Sequence, residues 1–410
     1  LILILKSGLD ADALQQLMEE LDSRGLCPRL LDEEVEEGRR LVELPESDEA
    51  RQRPDSTVQA QLAQLPQVER ILSFGESFPL AHAAPRRFRF AERFASSRFA
   101  QDGHDFADLG AGSFAWIAGP CSVEDPDTVG EIASCVARAG ATMLRGGAYK
   151  PRTSPYAFQG HGREGLLLLK QVGADFGLPI VTEVLDPRDV DFVAQHADVL
   201  QIGARNMQNF TLLREIGRCG RPVLLKRSAS GTLDEWLGSA EHLLDAGTTD
   251  LALCERGVVG HDTSRRNLLD LSVVPAVRKR CDLPVVVDPS HATGKRSLVT
   301  PMAKAAVVAG ADAVMVEVHV RPERALSDNA QALLPSELPE LSAWLRVLAQ
   351  LEGRRFLKGP CFRPDGAEAS LVERLMQTGP ERDGTWPSED AADCGEASSR
   401  KPGNKRSPAN

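Results

Sequence analysis

One theme recurs eight times between residues 114 and 318: an apolar run rich in β-branched residues, a polar or Gly-rich turn, then a stretch with helical spacing. The spacing predicts strands over 114–118, 142–145, 180–184, 199–202, 223–226, 250–254, 285–288 and 313–318. Strands that are apolar almost throughout and separated by helices are buried on both faces and pair in parallel. Eight β/α units in about 210 residues is the period of a closed (β/α)8 TIM barrel, so the expected fold class is α/β with that barrel at its centre. A doubly wound open sheet is the alternative.

The flanks differ in character. Residues 1–78 predict a small N-terminal ferredoxin-like α+β domain in the order βαββαβ. Its strands fall at 1–5, 27–35, 39–44 and 68–74, with one helix marked by Leu14, Leu17, Met18 and Leu21 and a second near 57–63. Residues 79–104, rich in Arg and Phe, read as an irregular linker, which leaves 105–352 for the barrel. From 353 to 410 the composition turns to Gly, Pro, Ser and charge, the mark of a flexible, disordered tail. The formal net charge of −11 repels polyanions, so nucleic acid is not an expected partner. The opening LILIL is far short of the roughly 20 apolar residues of a membrane span. Eight cysteines are scattered without paired spacing, which fits a reducing cytoplasm.

Chemistry in such a barrel sits on the loops that follow the strands. Those loops carry Arg145, Lys150, Arg152, Arg205, Lys226, Arg227 and Arg256. One such cation is ordinarily a solvated loop residue. Seven converging would repel one another unless anions bind between them, so the pocket is expected to hold phosphates or carboxylates. A second group, Cys121, His291, Glu317 and Asp328, comes from strands one, seven and eight, which ring closure makes neighbours. A thiol, an imidazole and two carboxylates suit a divalent transition ion such as Mn, Fe, Co or Zn, although each alone is more often structural. His319 shares a strand face with Glu317 by the two-residue period and competes as a ligand or a partner to one. The loop KPRTSPY is held extended by its prolines and offers Arg152, Thr153 and Ser154 to one phosphate.

The ordered series AGPCSVE, LRGGAYKPRTSPYAFQG, QIGARNMQN, PVLLKR, LCERG, VDPSHATGKR and VEVHVRPERALSD resembles the 3-deoxy-D-arabino-heptulosonate 7-phosphate (DAHP) synthase family, in its barrel class with an N-terminal ferredoxin-like regulatory domain. The resemblance implies a transferase that condenses phosphoenolpyruvate with D-erythrose 4-phosphate and releases phosphate, the first step of the shikimate pathway. It implies Cys121, His291, Glu317 and Asp328 as ligands of a divalent metal. It places Arg145, Lys150, Arg205, Lys226 and Arg256 on phosphoenolpyruvate, and Arg152, Thr153 and Ser154 on the sugar phosphate. Lys150 is the candidate acid toward the aldehyde oxygen; Glu183, with Asp288 or a metal-bound water, is the candidate to activate the attacking water. The N-terminal unit has two readings, a stabilising or oligomer-forming appendage and an allosteric module that binds an aromatic amino acid, Phe or Tyr, as effector; a homo-oligomer, dimer or tetramer, is the expected assembly. The rival is 3-deoxy-octulosonate 8-phosphate synthase, which extends arabinose 5-phosphate and typically carries KANRS where this chain has KPRTS. A non-catalytic barrel binding a phosphorylated metabolite is the reading from another class. Ser228, where relatives often have Gly, and the tail depart from the family pattern.

Overall fold

The protein is represented by a computed structural model that describes residues 2–6, 8–35, 39–44, 58, 61–62, 64–72, 78–84, 86–90, 109–110, 112–359 and 361–362. At the N-terminus, β1 (Ile2–Leu5), β2 (Arg29–Val35), β3 (Arg39–Glu43) and β4 (Val68–Leu72) form an antiparallel sheet in the order β2-β3-β1-β4. That is the ferredoxin-like order. The helix Ala11–Ser23 starts where Asp10 accepts a hydrogen bond from the Ala13 amide at 2.8 Å, and it buries Leu14, Leu17 and Leu21 against Leu3, Leu5 and Val42. Of the second helix expected over 57–63, residues 58, 61 and 62 are helical and the others except 58, 61 and 62 lie outside the described residues.

A short pair, β5 (Arg87–Phe88) with β6 (Leu109–Gly110), precedes the barrel. The eight barrel strands are β7 (Ser113–Gly119), β8 (Met143–Arg145), β9 (Ile180–Val184), β10 (Val199–Ile202), β11 (Val223–Lys226), β12 (Leu251–Glu255), β13 (Val285–Val287) and β14 (Ala313–Glu317). Each pairs in parallel with the next, and β14 returns to β7 with Ala313 opposite Ala115 and Glu317 opposite Gly119. The sheet is closed, which decides against the open doubly wound alternative.

Alternate residues of the strands face opposite ways. One set, including Phe114, Trp116, Leu144, Leu225 and Val314, packs outward against the helices. The other, including Ile117, Met143, Leu224, Val286 and Met315, fills the barrel interior. Two residues beyond the interior set, at the C-terminal ends, stand Arg145, Lys226, Asp288 and Glu317, all buried. The period of two thus delivers a charged layer directly onto an apolar one.

The expected linker and tail both contribute to the barrel. Phe88, Phe90, Leu109 and Leu357 join the interior core, closing its floor. Leu80 and Ala81 donate their amides to Glu241 at 3.2 and 2.7 Å, Arg86 pairs with buried Asp312 at 2.9 Å, and Arg89 pairs with Asp250 at 2.9 Å. The segment RRFRF is therefore no irregular spacer: its alternation turns Phe inward. Beyond Gly353, a ninth strand, β15 (Arg355–Phe356), pairs in parallel with β7, and the ring of Phe356 lies 6.3 Å from that of Phe114. The tail expected from 353 is thus packed as far as Phe362, and 363–410 lies outside the described residues, as do 91–104. Among the described residues no helix is long and apolar enough to cross a membrane.

Candidate active site

Gly119 ends β7 with φ 153°, and a Cβ there would meet the Arg145 carbonyl oxygen at 2.1 Å. Only glycine lets the chain pass β8 this closely and carry Cys121 over the top of the barrel. Cys121 Sγ lies 2.9 Å from Lys150 Nζ and 3.2 Å from Asp328 Oδ2. His291 stands on the short helix Pro289–Thr293, whose preceding residue Asp288 accepts from the His291 backbone at 3.0 Å and contacts Nδ1 at 2.6 Å. That fixes the ring and turns Nε2 to within 3.0 Å of Glu317 Oε1. One ligand atom from each of Cys121, His291, Glu317 and Asp328 lies within 4.8 Å of all the others. The four residues predicted as one group are together.

The donor set fits a divalent transition ion on an observation of its own. Glu317 Oε1 is buried and has no aligned hydrogen-bond donor, although His291 Nε2 lies 3.0 Å and Arg145 Nη1 3.3 Å away. An acceptor left so inside a protein is costly unless something positive meets it. Burial, and then the negative charge of Glu317, push the Cys121 thiol up to about 12. Burial works the other way on Glu317, but His291 and Arg145 outweigh it and hold that carboxyl well below the usual range.

Beside the cluster opens a cavity of about 390 Å³. Arg145, Lys150, Arg152, Arg205, Lys226, Arg256 and Arg266 line it, against the carboxylates of Glu183 and Asp328. Thr153 and Ser154 line it as well. Burial opposes the Lys150 ammonium, but its contact with Cys121 and the nearby Glu317 carboxylate outweigh that and raise it above the ordinary range. Glu183 reaches the cavity because position 203 is glycine; a Cβ on Gly203 would come within 1.9 Å of Glu183 Oε1.

Three expectations change. Arg227 does not face the pocket: next to inward Lys226 it points outward, where it pairs with Glu255 at 3.0 Å and Asp270 at 3.1 Å. Asp288 does not line the cavity either, being fully buried between Lys226 Nζ, at 2.6 Å, and His291. His319 leaves the cluster because β14 ends at Glu317 and the chain turns; its Nε2 lies 3.5 Å from Glu124 instead. Two residues escaped the sequence reading. Arg266, 3.2 Å from Asp328, sits far along the loop after β12. Gln331, whose Nε2 donates to Glu317 Oε2 at 2.7 Å, is hidden three residues past Asp328.

Comparison with known proteins decides the family. Residues 105–352 match the model of the DAHP synthetase I family. The chain belongs to that family. The DAHP synthetase I family is metal-dependent, in keeping with the four-donor cluster. Among curated proteins, the chain is 48% identical over 245 residues to phospho-2-dehydro-3-deoxyheptonate aldolase of Thermotoga maritima, covering 60% of this chain and 72% of the relative. It is 32% identical over 263 residues to 2-dehydro-3-deoxyphosphooctonate aldolase of Alkalilimnicola ehrlichii, covering 58% and 92%. A crystal structure of the Thermotoga maritima aldolase, titled DAHP synthase, superposes with a TM-score of 0.64 at 36% identity, covering 87% of this chain and 98% of the other. A truncated form of the same synthase gives 0.61 at 39% identity, covering 68% and 99%.

Proposed function

We propose that this chain condenses phosphoenolpyruvate with D-erythrose 4-phosphate and water, giving DAHP and phosphate. The observation that carries the reading is one cavity, lined by seven cations, opening beside a cluster of four metal-ligand side chains in a member of this family. Two phosphorylated substrates, one also a carboxylate, match that charge. Arg145, Lys150, Arg205, Lys226 and Arg256 hold phosphoenolpyruvate. In support, Nε and Nη1 of Arg145 are buried donors without an aligned acceptor, and Arg205 makes no ion pair among the described residues. Arg152, Thr153 and Ser154 take the phosphate of the sugar.

Cys121, His291, Glu317 and Asp328 would hold a divalent ion, Mn, Fe, Co or Zn, which would supply Lewis-acid chemistry at the erythrose aldehyde. Lys150 donates a proton to the aldehyde oxygen as C3 of phosphoenolpyruvate forms the new carbon–carbon bond. Water then adds to the electron-poor C2, and Glu183 takes its proton. The C2–O bond to phosphate breaks, and Lys226 and Arg256 meet the charge of the leaving group. Asp288, enclosed between Lys226 and His291, orients both and does not reach water.

The wider reading includes a cytoplasmic homo-oligomer whose N-terminal sheet binds Phe or Tyr as an effector; rate titrations of the full chain with each amino acid test that part. The main test is phosphate release by the Mn-replenished full chain with phosphoenolpyruvate and each sugar phosphate. Turnover that favours erythrose 4-phosphate is expected. A preference for arabinose 5-phosphate transfers the chain to the octulosonate reaction, and binding without phosphate release makes it a sensor.

A further inference from the structure

A glutamate that serves a cation site must keep one oxygen aimed at it, and its three rotatable bonds allow it to turn away. Gln331 removes that freedom from Glu317. It is 3% exposed, and its Nε2 donates to Oε2 of Glu317 at 2.7 Å, so Oε1 is the oxygen left toward Cys121, His291 and Asp328. The segment around Gln331 is hydrogen-bonded at several points. Leu326 donates its amide to Glu124 at 2.8 Å, Ser327 Oγ meets Ser122 Oγ at 2.8 Å, and Arg296 Nε donates to the Ala332 carbonyl at 2.6 Å. Leu333 then donates to the Glu317 carbonyl at 2.8 Å, and His319 to that of Leu333 at 3.0 Å, extending the ladder of β14. Asp328 belongs to the same pinned segment, in the left-handed region at φ 49°. One strap therefore carries one ligand and aims another.

We propose that Gln331 is the positioning residue of the cation site, its neutral amide holding Glu317 by one oxygen so that the other alone is presented to the ion. A neutral donor suits the place, because a cation there would compete with the ion and a carboxylate would repel Glu317. The proposal rests on reading the four-residue cluster as a metal site.

The test uses the full chain and two variants. Gln331→Met keeps the length and loses the donor; Gln331→Glu keeps the shape and, when ionised, only accepts. Affinity for Mn(II) and Co(II) is measured by competition with a chromophoric chelator, together with the visible spectrum of the Co(II) form and Tm of the metal-free protein. Both variants are expected to lose about 10- to 100-fold in metal affinity and to shift the Co(II) spectrum, beyond whatever fall in metal-free Tm follows from leaving Glu317 Oε2 without its donor. Wild-type affinity and spectrum in both variants overturn the proposal, as does a fall in metal-free Tm without a change in affinity, which makes Gln331 a packing residue. Should Gln331→Met fail to fold, the isosteric Gln331→Glu decides. A wild-type chain that binds neither ion overturns the metal reading itself, and this proposal with it.

Discussion

Cys121 shows most directly how surroundings set the behaviour of a side chain. Burial and the charge of Glu317 push its thiol up to about 12, so without an ion the sulfur keeps its proton. Metal capture by the thiolate must therefore expel that proton. Below about 12, apparent affinity is expected to rise about tenfold per pH unit, for as long as the other ligands keep their protonation. Chelator competition at several pH values checks this, and Cys121→Ser should flatten the slope; a flat slope in the wild-type chain rules the thiolate out as a ligand. The clustering of the four candidate ligands was legible in the sequence because S, N and O donors following strands one, seven and eight are chemically conspicuous once the ring closes. Arg227 was misread for an equally local reason: adjacent residues of a strand face opposite sides, so only one of Lys226 and Arg227 can reach the pocket. Gln331 gave no signal, since an amide three residues past a ligand looks like any loop residue until its partner is seen.

At the level of elements, the eight strands were readable because burial on both faces writes long apolar runs into the sequence. The floor of the barrel was not. β15 is two residues long, and the Arg–Phe alternation that forms β5 is masked by its charge. Yet Phe356, Leu357 and Phe362 are all buried. At about 1.5–3 kcal/mol for each large apolar side chain, discounted for residual burial in the unfolded chain, a chain ending after Glu352 is expected to lose roughly 3–8 kcal/mol of stability. Urea unfolding of that truncation, set against a chain ending after Phe362, measures the loss. Equal midpoints would show that the ninth strand contributes nothing.

Over the whole molecule, a net charge of −11 surrounds a cavity with seven cationic side chains and two carboxylates. A field of that shape attracts anions only near the mouth, and salt weakens it over a Debye length of about 10 Å at 0.1 M. KM for both phosphorylated substrates is accordingly expected to rise with ionic strength, while Tm changes little; steady-state rates across a KCl series provide the check, and a KM independent of salt contradicts the anion-pocket reading. The closure of β14 onto β7 bears also on how the protein is made. Cys121 and Asp328 lie 207 positions apart, so a ribosome releases the sulfur long before it has translated the carboxylates it comes to stand beside. Across that interval the nascent thiol lacks those carboxylates, and under the proposed metal reading loading waits until they have been made, in competition with oxidants.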